Sequence, residues 1–275
     1  VYDLAVDRDN HHIYVGGFVS PNPRDYDPDP TDEVLITGGD SPVQGGYDSW
    51  ISQFASDGDL NWAKSFGSNG HDRLNALAAR GGFVYGTGWQ NGSGGDWDTG
   101  GGTTTLAGTN HDTYTIKLNS SGVTQWVFAL GGSGTSSIPS GEAVAVDGSG
   151  NVFSLGYFRG TADLDSGSGT DNHSSEAAGT DTAFLTKHNS SGVHQWAKSF
   201  PTWNHARPYG LALDGSGNIA HLRKAVKGKF RWGISQIPMG PNAKPKTAKG
   251  YAWADMLSIM VVQPSSAEMF NIFTE

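Results

Sequence analysis

His111-Asp112-Thr113-Tyr114-Thr115-Ile116-Lys117-Leu118 is followed by a turn through Ser121-Gly122 and then by Thr124-Gln125-Trp126-Val127-Phe128-Ala129-Leu130-Gly131. Two runs of alternating character joined by a glycine-containing turn read as a β-hairpin. The pattern recurs twice. Tyr47 to Phe54 leads through Asp57-Gly58 into Leu60-Asn61-Trp62-Ala63-Lys64-Ser65-Phe66-Gly67, and Thr180 to Lys187 leads through Ser191-Gly192 into His194-Gln195-Trp196-Ala197-Lys198-Ser199-Phe200.

A second hairpin pattern alternates with the first. Ala145-Val146-Asp147, Gly150-Asn151 and Val152 to Gly156 form one copy, Leu4 to Asp7 with Ile13 to Gly17 another, and Leu211 to Asp214 with Gly217-Asn218-Ile219 a third. The copy at Leu77-Ala78-Ala79-Arg80 lacks the Asp and turns through Gly81-Gly82. Asp and Asn suit such turns because short polar side chains bond the local backbone and tolerate left-handed geometry. Four short strands per repeating unit is the signature of a β-propeller blade. Gly17, Gly88 and Gly156 close equivalent strands at spacings of 71 and 68 residues, and the excess over a common blade sits in a polar loop after each glycine. Taking the Trp hairpin as the start of a unit, the chain begins with the second half of a blade. It then contains two full blades and most of another, and so reads as a fragment of a longer protein.

Composition excludes several classes. Of 275 residues 40 are Gly and none is Cys, so disulfide frameworks and thiolate metal or redox sites are out. Aromatic content of 11% is too high for a disordered chain. A net charge of −9 argues against nucleic acid as a partner. No apolar run reaches the roughly 18 residues that cross a bilayer, so no membrane span is expected.

The pattern Gly-x-Asp-x-aromatic, then Gly-x-x-x-Trp, then Ala-Val-Asp-x-x-Gly-Asn, resembles the bacterial beta-propeller repeat (SBBP-type) family over roughly residues 1–222. The resemblance implies an all-β propeller and export to the cell surface or beyond, and it supplies no catalytic residues. Asn119 to Trp126 also resembles the quinoprotein-type repeat, whose dehydrogenases use adjacent cysteines; this chain has none, so no quinone cofactor is expected. The sialidase Asp-box is rejected because Trp126 stands one residue too far from Gly122.

The pattern stops near Ile219. Residues 1–218 hold 10 Lys+Arg against 24 Asp+Glu, a net of −14, whereas residues 219–275 hold 8 against 3, a net of +5. One reading of residues 220–275 is a basic partner-binding tail around Lys244-Pro245-Lys246. The favoured reading is a reading frame shifted near Ala220, since dropping one base on back-translation restores parts of the repeat. The expected domains are therefore propeller repeats over 1–219 and an off-pattern tail over 220–275.

Three Asp-x-Asp pairs stand in register in the long loops. Asp25-Tyr26-Asp27 and Asp96-Trp97-Asp98 begin eight residues after Gly17 and Gly88, and Asp163-Leu164-Asp165 begins seven after Gly156. Hard carboxylate oxygens on a flexible loop suit Ca²⁺, which takes about 6–8 of them. The competing reading is turn capping, each Asp bonding nearby backbone N–H groups. The first loop, with Asp25, Asp27, Asp29, Asp32 and Glu33, is the richest candidate. Asp48, Asp112 and Asp181 open equivalent strands and read as structural, and Trp62, Trp126 and Trp196 read as packing between neighbouring sheets.

Trp89 and Trp97 lie beside or inside a polar loop and are the candidate ligand-stacking platforms. His71-Asp72 and His111-Asp112 do not make catalytic dyads, because adjacent strand residues point to opposite faces. Gly100-Gly101-Gly102 lacks the Lys and helix of a phosphate loop, so no nucleotide is expected. No nucleophile motif is present. The expectation is a secreted or cell-surface bacterial binding or scaffold module, more a binder than an enzyme. Its partners would be an unknown glycan or protein ligand and the remainder of the parent chain. The alternative is a propeller hydrolase or lyase acting on polysaccharide, with loop carboxylates as acid and base.

Overall fold

The two hairpin types pair across the long polar loops, and that pairing sets the architecture. The computed structural model describes residues 1–20, 22, 24–27, 29, 34–36, 46–106, 111–131, 140–175, 179–201, 207–214, 217–223, 231–233, 235–236 and 246–247. Among these every regular element is a strand. The first unit comprises β1 (Asp3–Asp7), β2 (His12–Val19), β3 (Arg24–Asp25), β4 (Leu35–Ile36), β5 (Asp48–Phe54) and β6 (Leu60–Phe66). The second is β7 (His71–Arg80), β8 (Phe83–Asn91), β9 (Asp112–Leu118) and β10 (Thr124–Leu130). The third is β11 (Ser140–Val146), β12 (Val152–Phe158), β13 (Thr161–Asp163), β14 (Asn172–Ser174), β15 (Thr182–His188) and β16 (His194–Pro201). A fourth begins with β17 (Pro208–Leu213), β18 (Ile219–Arg223) and β19 (Arg231–Gly233).

Three four-stranded antiparallel sheets result, in the orders β1-β2-β5-β6, β7-β8-β9-β10 and β11-β12-β15-β16, followed by the three-stranded β17-β18-β19. This corrects the phase expected from sequence. Gly17, Gly88 and Gly156 stand opposite Trp50, Tyr114 and Phe184, so each Ala-Val-Asp hairpin opens a sheet and the Trp hairpin completes it. Among the described residues there are thus three four-stranded sheets and one three-stranded sheet, beside three short two-stranded pairs. The short segment 67–70 links two sheets rather than closing a hairpin, since β6 and β7 lie in different sheets. Ser68 donates its N–H to the Asp72 carboxylate at 2.6 Å, and Asp72 donates its own to the Tyr47 carbonyl at 2.6 Å.

The turn chemistry is that expected. Asn119 accepts from the N–H groups of Ser121 and Val123 at 3.0 and 2.9 Å, and Asn189 repeats this with Ser191 and Val193. Asp147 and Asp214 accept from the backbone and side-chain N–H groups of Asn151 and Asn218. Where Arg80 replaces that Asp, the Gly82 N–H is satisfied by Asp7 of the preceding sheet at 2.6 Å.

The core lies between successive sheets. Tyr14, Ile51 and Phe66 of the first pack with Leu74, Leu77, Val84, Tyr114 and Ile116 of the second. Phe128 and Leu130 of the second pack with Phe158, Phe184 and Ala197 of the third. β9 and β12 are buried along their whole length, covered on both faces. The first strands of consecutive sheets lie side by side, β1 on β7, β7 on β11 and β11 on β17.

A second joint links the sheets where the Trp positions recur. The Trp62 indole N–H donates to the Ser120 carbonyl at 2.9 Å, and Trp126 donates to Ser190 at 3.1 Å, each reaching the tight turn of the following sheet. Gly122 and Gly192 in those turns have φ of 73° and 78° and lie flat on the indoles. The repeated Gly and the repeated Trp therefore meet across the sheet boundary rather than within one hairpin. Trp196 packs with Phe153 at 6.2 Å between ring centroids.

The off-pattern tail expected over 220–275 falls mostly outside the described residues. The register of β18 continues past Ile219 to Arg223, opposite Pro208, and a short pair joins β20 (Ser235–Gln236) to β21 (Lys246–Thr247).

Candidate functional site

The three Asp-x-Asp pairs fold alike. Asp25, Asp96 and Asp163 each accept from the N–H two residues on, at 3.0, 2.9 and 3.0 Å. The same Oδ1 atoms also accept from Val34, Thr104 and Asp171 at 3.0, 3.1 and 2.9 Å, closing each loop onto itself. The second Asp repeats the device, with Asp27, Asp98 and Asp165 accepting from Asp29, Gly100 and Gly167. These are the bonds of turn capping. Among the described residues no three His, Asp or Glu side chains come together to hold a metal ion; Asp32 and Glu33 lie outside them. Asp96→Ala is expected to lower stability by about 1–2 kcal/mol by leaving two backbone donors unpaired. Thermal melts of the unsubstituted chain in calcium and in chelator should coincide; a midpoint raised by calcium would return these carboxylates to ion binding.

Trp97 is not the surface platform expected from its polar neighbours. Its side chain is fully buried, 5.8 Å from the Phe66 ring and 4.7 Å from Tyr114. The reason is alternation: with Asp96 and Asp98 turned to the loop backbone, the residue between them points the other way, into the core. Leu164 is fully buried in the third loop, and Tyr26 lies 4.5 Å from the Trp50 ring in the first. Trp89 is half-buried with its ring 5.3 Å from His111. His71 and Asp72 do separate, His71 exposed beside Tyr47 and Asp72 buried on Ser68.

A different set of residues stands together where the first strands converge. β7, β11 and β17 each carry a bulge, which leaves Asn75, Glu142 and Tyr209 as the extra residue. Tyr2 occupies the same place before β1, its N–H on the Gly16 carbonyl at 2.8 Å. Bulges re-aim a side chain out of the sheet, and these four positions form one row. Asn75 donates to the Gly141 carbonyl at 2.7 Å, and Ser140 donates to Glu142 at 2.8 Å. The Arg73 guanidinium lies 3.9 Å from the centre of the Tyr2 ring, and that of Arg207 lies 4.2 Å from Tyr157.

Arg207 also bonds the buried Asp181 at 3.3 Å, and Arg159 bonds its other oxygen. Burial pushes the Glu142 carboxyl up, against the pull of the Ser140 hydroxyl and the charges of Arg207 and Arg73. Tyr2 and Tyr209 are 44% and 58% exposed, so the row ends in accessible aromatic side chains.

Sequence reasoning missed this row. The signal was a variable column, Tyr2, Asn75, Glu142 and Tyr209, standing before a constant apolar-Ala pattern. No family model and no curated protein matches the chain.

Proposed function

We propose that this chain is a secreted or cell-surface bacterial binding scaffold whose four-stranded sheets are successive blades of a β-propeller. The observation that supports this best is the side-by-side placement of β1, β7, β11 and β17, which gathers one bulge residue per sheet into a common row. Charged and aromatic groups that converge from several sheets suit ligand contact. Export follows from the resemblance of the repeat.

The test is retention on a glycan array and on isolated bacterial cell walls, for the unsubstituted chain and for Arg73→Ala/Glu142→Gln. Binding reduced about tenfold or more, at an unchanged folded signal, is the expected result. Failure to bind either probe, or equal binding by the variant, would remove the row from the reading. Release of reducing ends from a bound polysaccharide would replace the scaffold with a hydrolase.

A further inference from the structure

Four structurally equivalent positions change character together in the third sheet. The cross-strand pair at the turn end is Phe54 with Leu60 in the first sheet, Leu118 with Thr124 in the second and His188 with His194 in the third. The loop residue whose N–H caps the first Asp is Val34, Thr104 and Asp171 in turn. Two residues later stand Ile36, Leu106 and His173. Positions that are apolar throughout the first unit are thus three histidines and an aspartate in the third.

The substitutions make one cluster. His188 is fully buried, stacked on Phe128 at 4.0 Å, with Nε2 3.1 Å from the Ser166 hydroxyl. Asp171 lies 3.1 Å from Nε2 of His173 and 3.5 Å from Nε2 of His194. Among the described residues, Nδ1 of His188 and Nδ1 of His194 are buried without a hydrogen-bond partner. An unpaired buried polar atom carries a desolvation cost.

A cavity of about 460 Å³ opens beside the cluster, between Trp126 and Phe128 of the second sheet and Asp165, Ser168, Gly192 and His194 of the third. At the corresponding place in the second sheet, loop and turn are stitched together. Thr99 donates to the Gly122 carbonyl at 2.5 Å and Thr124 to the Trp97 carbonyl at 2.9 Å, the two hydroxyls lying 3.0 Å apart. In the third sheet Ser166 faces His188, and His194 faces Asp171, so these residues are turned to other partners.

We propose that this cavity binds a neutral, hydroxyl-bearing ligand of mono- or disaccharide size. Trp126 and Phe128 form the apolar wall. Across from it, the Asp165 carboxylate and the Ser168 hydroxyl on the lining are acceptors for ligand hydroxyls. Asp165 on the lining disfavours an anion, and the volume falls within the range of about 300–1,000 Å³ usual for small-ligand pockets. The site uses residues distinct from the bulge row.

The test uses the full chain and its histidine ring resonances, titrated separately with glucose, galactose, mannose, N-acetylglucosamine and cellobiose to about 20 mM, a range that covers millimolar affinity. Saturable shifts of the His188 and His194 signals are expected with at least one sugar. The variant Ser166→Thr/His194→Thr, which restores the threonines of the second sheet, should stay folded and bind about tenfold or more weakly. Three outcomes would overturn the proposal. They are no saturable shift with any of the five sugars, undiminished binding by the folded variant, or saturable shifts with zinc alone and none with sugar.

Discussion

Gly156→Ala is expected to destabilise the chain by about 3 kcal/mol, the upper end for forcing one methyl group into a filled site. A β-carbon at this position would collide with the Ser140 carbonyl oxygen and press on the Phe184 ring at 2.7 Å. The carbonyl belongs to the backbone of β11 beside the Glu142 bulge, so neither neighbour can yield without unpairing the sheet. Urea unfolding measures the change. Gly148→Ala is the control, because its nearest neighbour is the end of the Arg80 side chain at 3.6 Å. Equal midpoints for the two variants would mean that the bulge is softer than this close approach implies.

The second large effect depends on pH. Burial of Asp72, with the charge of Asp48 adding, pushes its carboxyl up to about 7 against the opposing pull of the Ser68 and Asn91 hydrogen bonds. A raised carboxyl binds its proton more tightly when folded. Its contribution to stability is therefore complete below the unfolded value of 3.8 and is lost as pH rises through about 7. Asp72→Asn keeps the neutral form at every pH. It should match the unsubstituted chain near the unfolded pKa of about 4 and exceed it by roughly 3–4 kcal/mol at about pH 8.

His188 acts in the opposite direction. Burial, reinforced by the neighbouring His194, lowers it from 6.5 to about 3, so its contribution is complete above 6.5 and is lost as pH falls through about 3. The two slopes oppose each other between the unfolded Asp value of 3.8 and the unfolded His value of 6.5. In that window Asp72→Asn should therefore show the steeper acid loss that His188 causes. Denaturant midpoints across the pH range check both signs. A difference between variant and unsubstituted chain that does not grow as pH rises would show that Asp72 ionises freely.

The hairpins and their turns were legible because their determinants are local. Asn119-x-x-Gly122 and Asp147-x-x-Gly150-Asn151 carry both the side-chain acceptor and the left-handed glycine their turns need. The phase of the sheets was not legible. Four residues at 67–70 separate one hairpin from the next, whereas 28 residues at 20–47 separate the two that pair, and nearness along the chain favours the wrong partner.

Trp97 was misplaced for a related reason. Its polar neighbours suggested solvent, yet the large apolar residue between two Asp in all three loops, Tyr26, Trp97 and Leu164, marked an inward position. The bulge row and the histidine cluster leave weaker traces. A bulge is a single added residue, and His173, His188 and His194 become a group only once β14, β15 and β16 have been placed.

That consecutive sheets are clamped by an indole laid on the next sheet's turn is tested most directly by a double-mutant cycle on Trp126 and Gly192. A methyl group added at Gly192 would lie 3.0 Å from Trp126 Cδ2, and the residue has φ of 78°, so Gly192→Ala combines a ring collision with backbone strain. Trp126→Leu removes the ring and leaves the strain. Gly192→Ala should therefore cost at least about 1 kcal/mol less in the Trp126→Leu background than in the unsubstituted chain. An equal cost in both backgrounds would contradict the clamp.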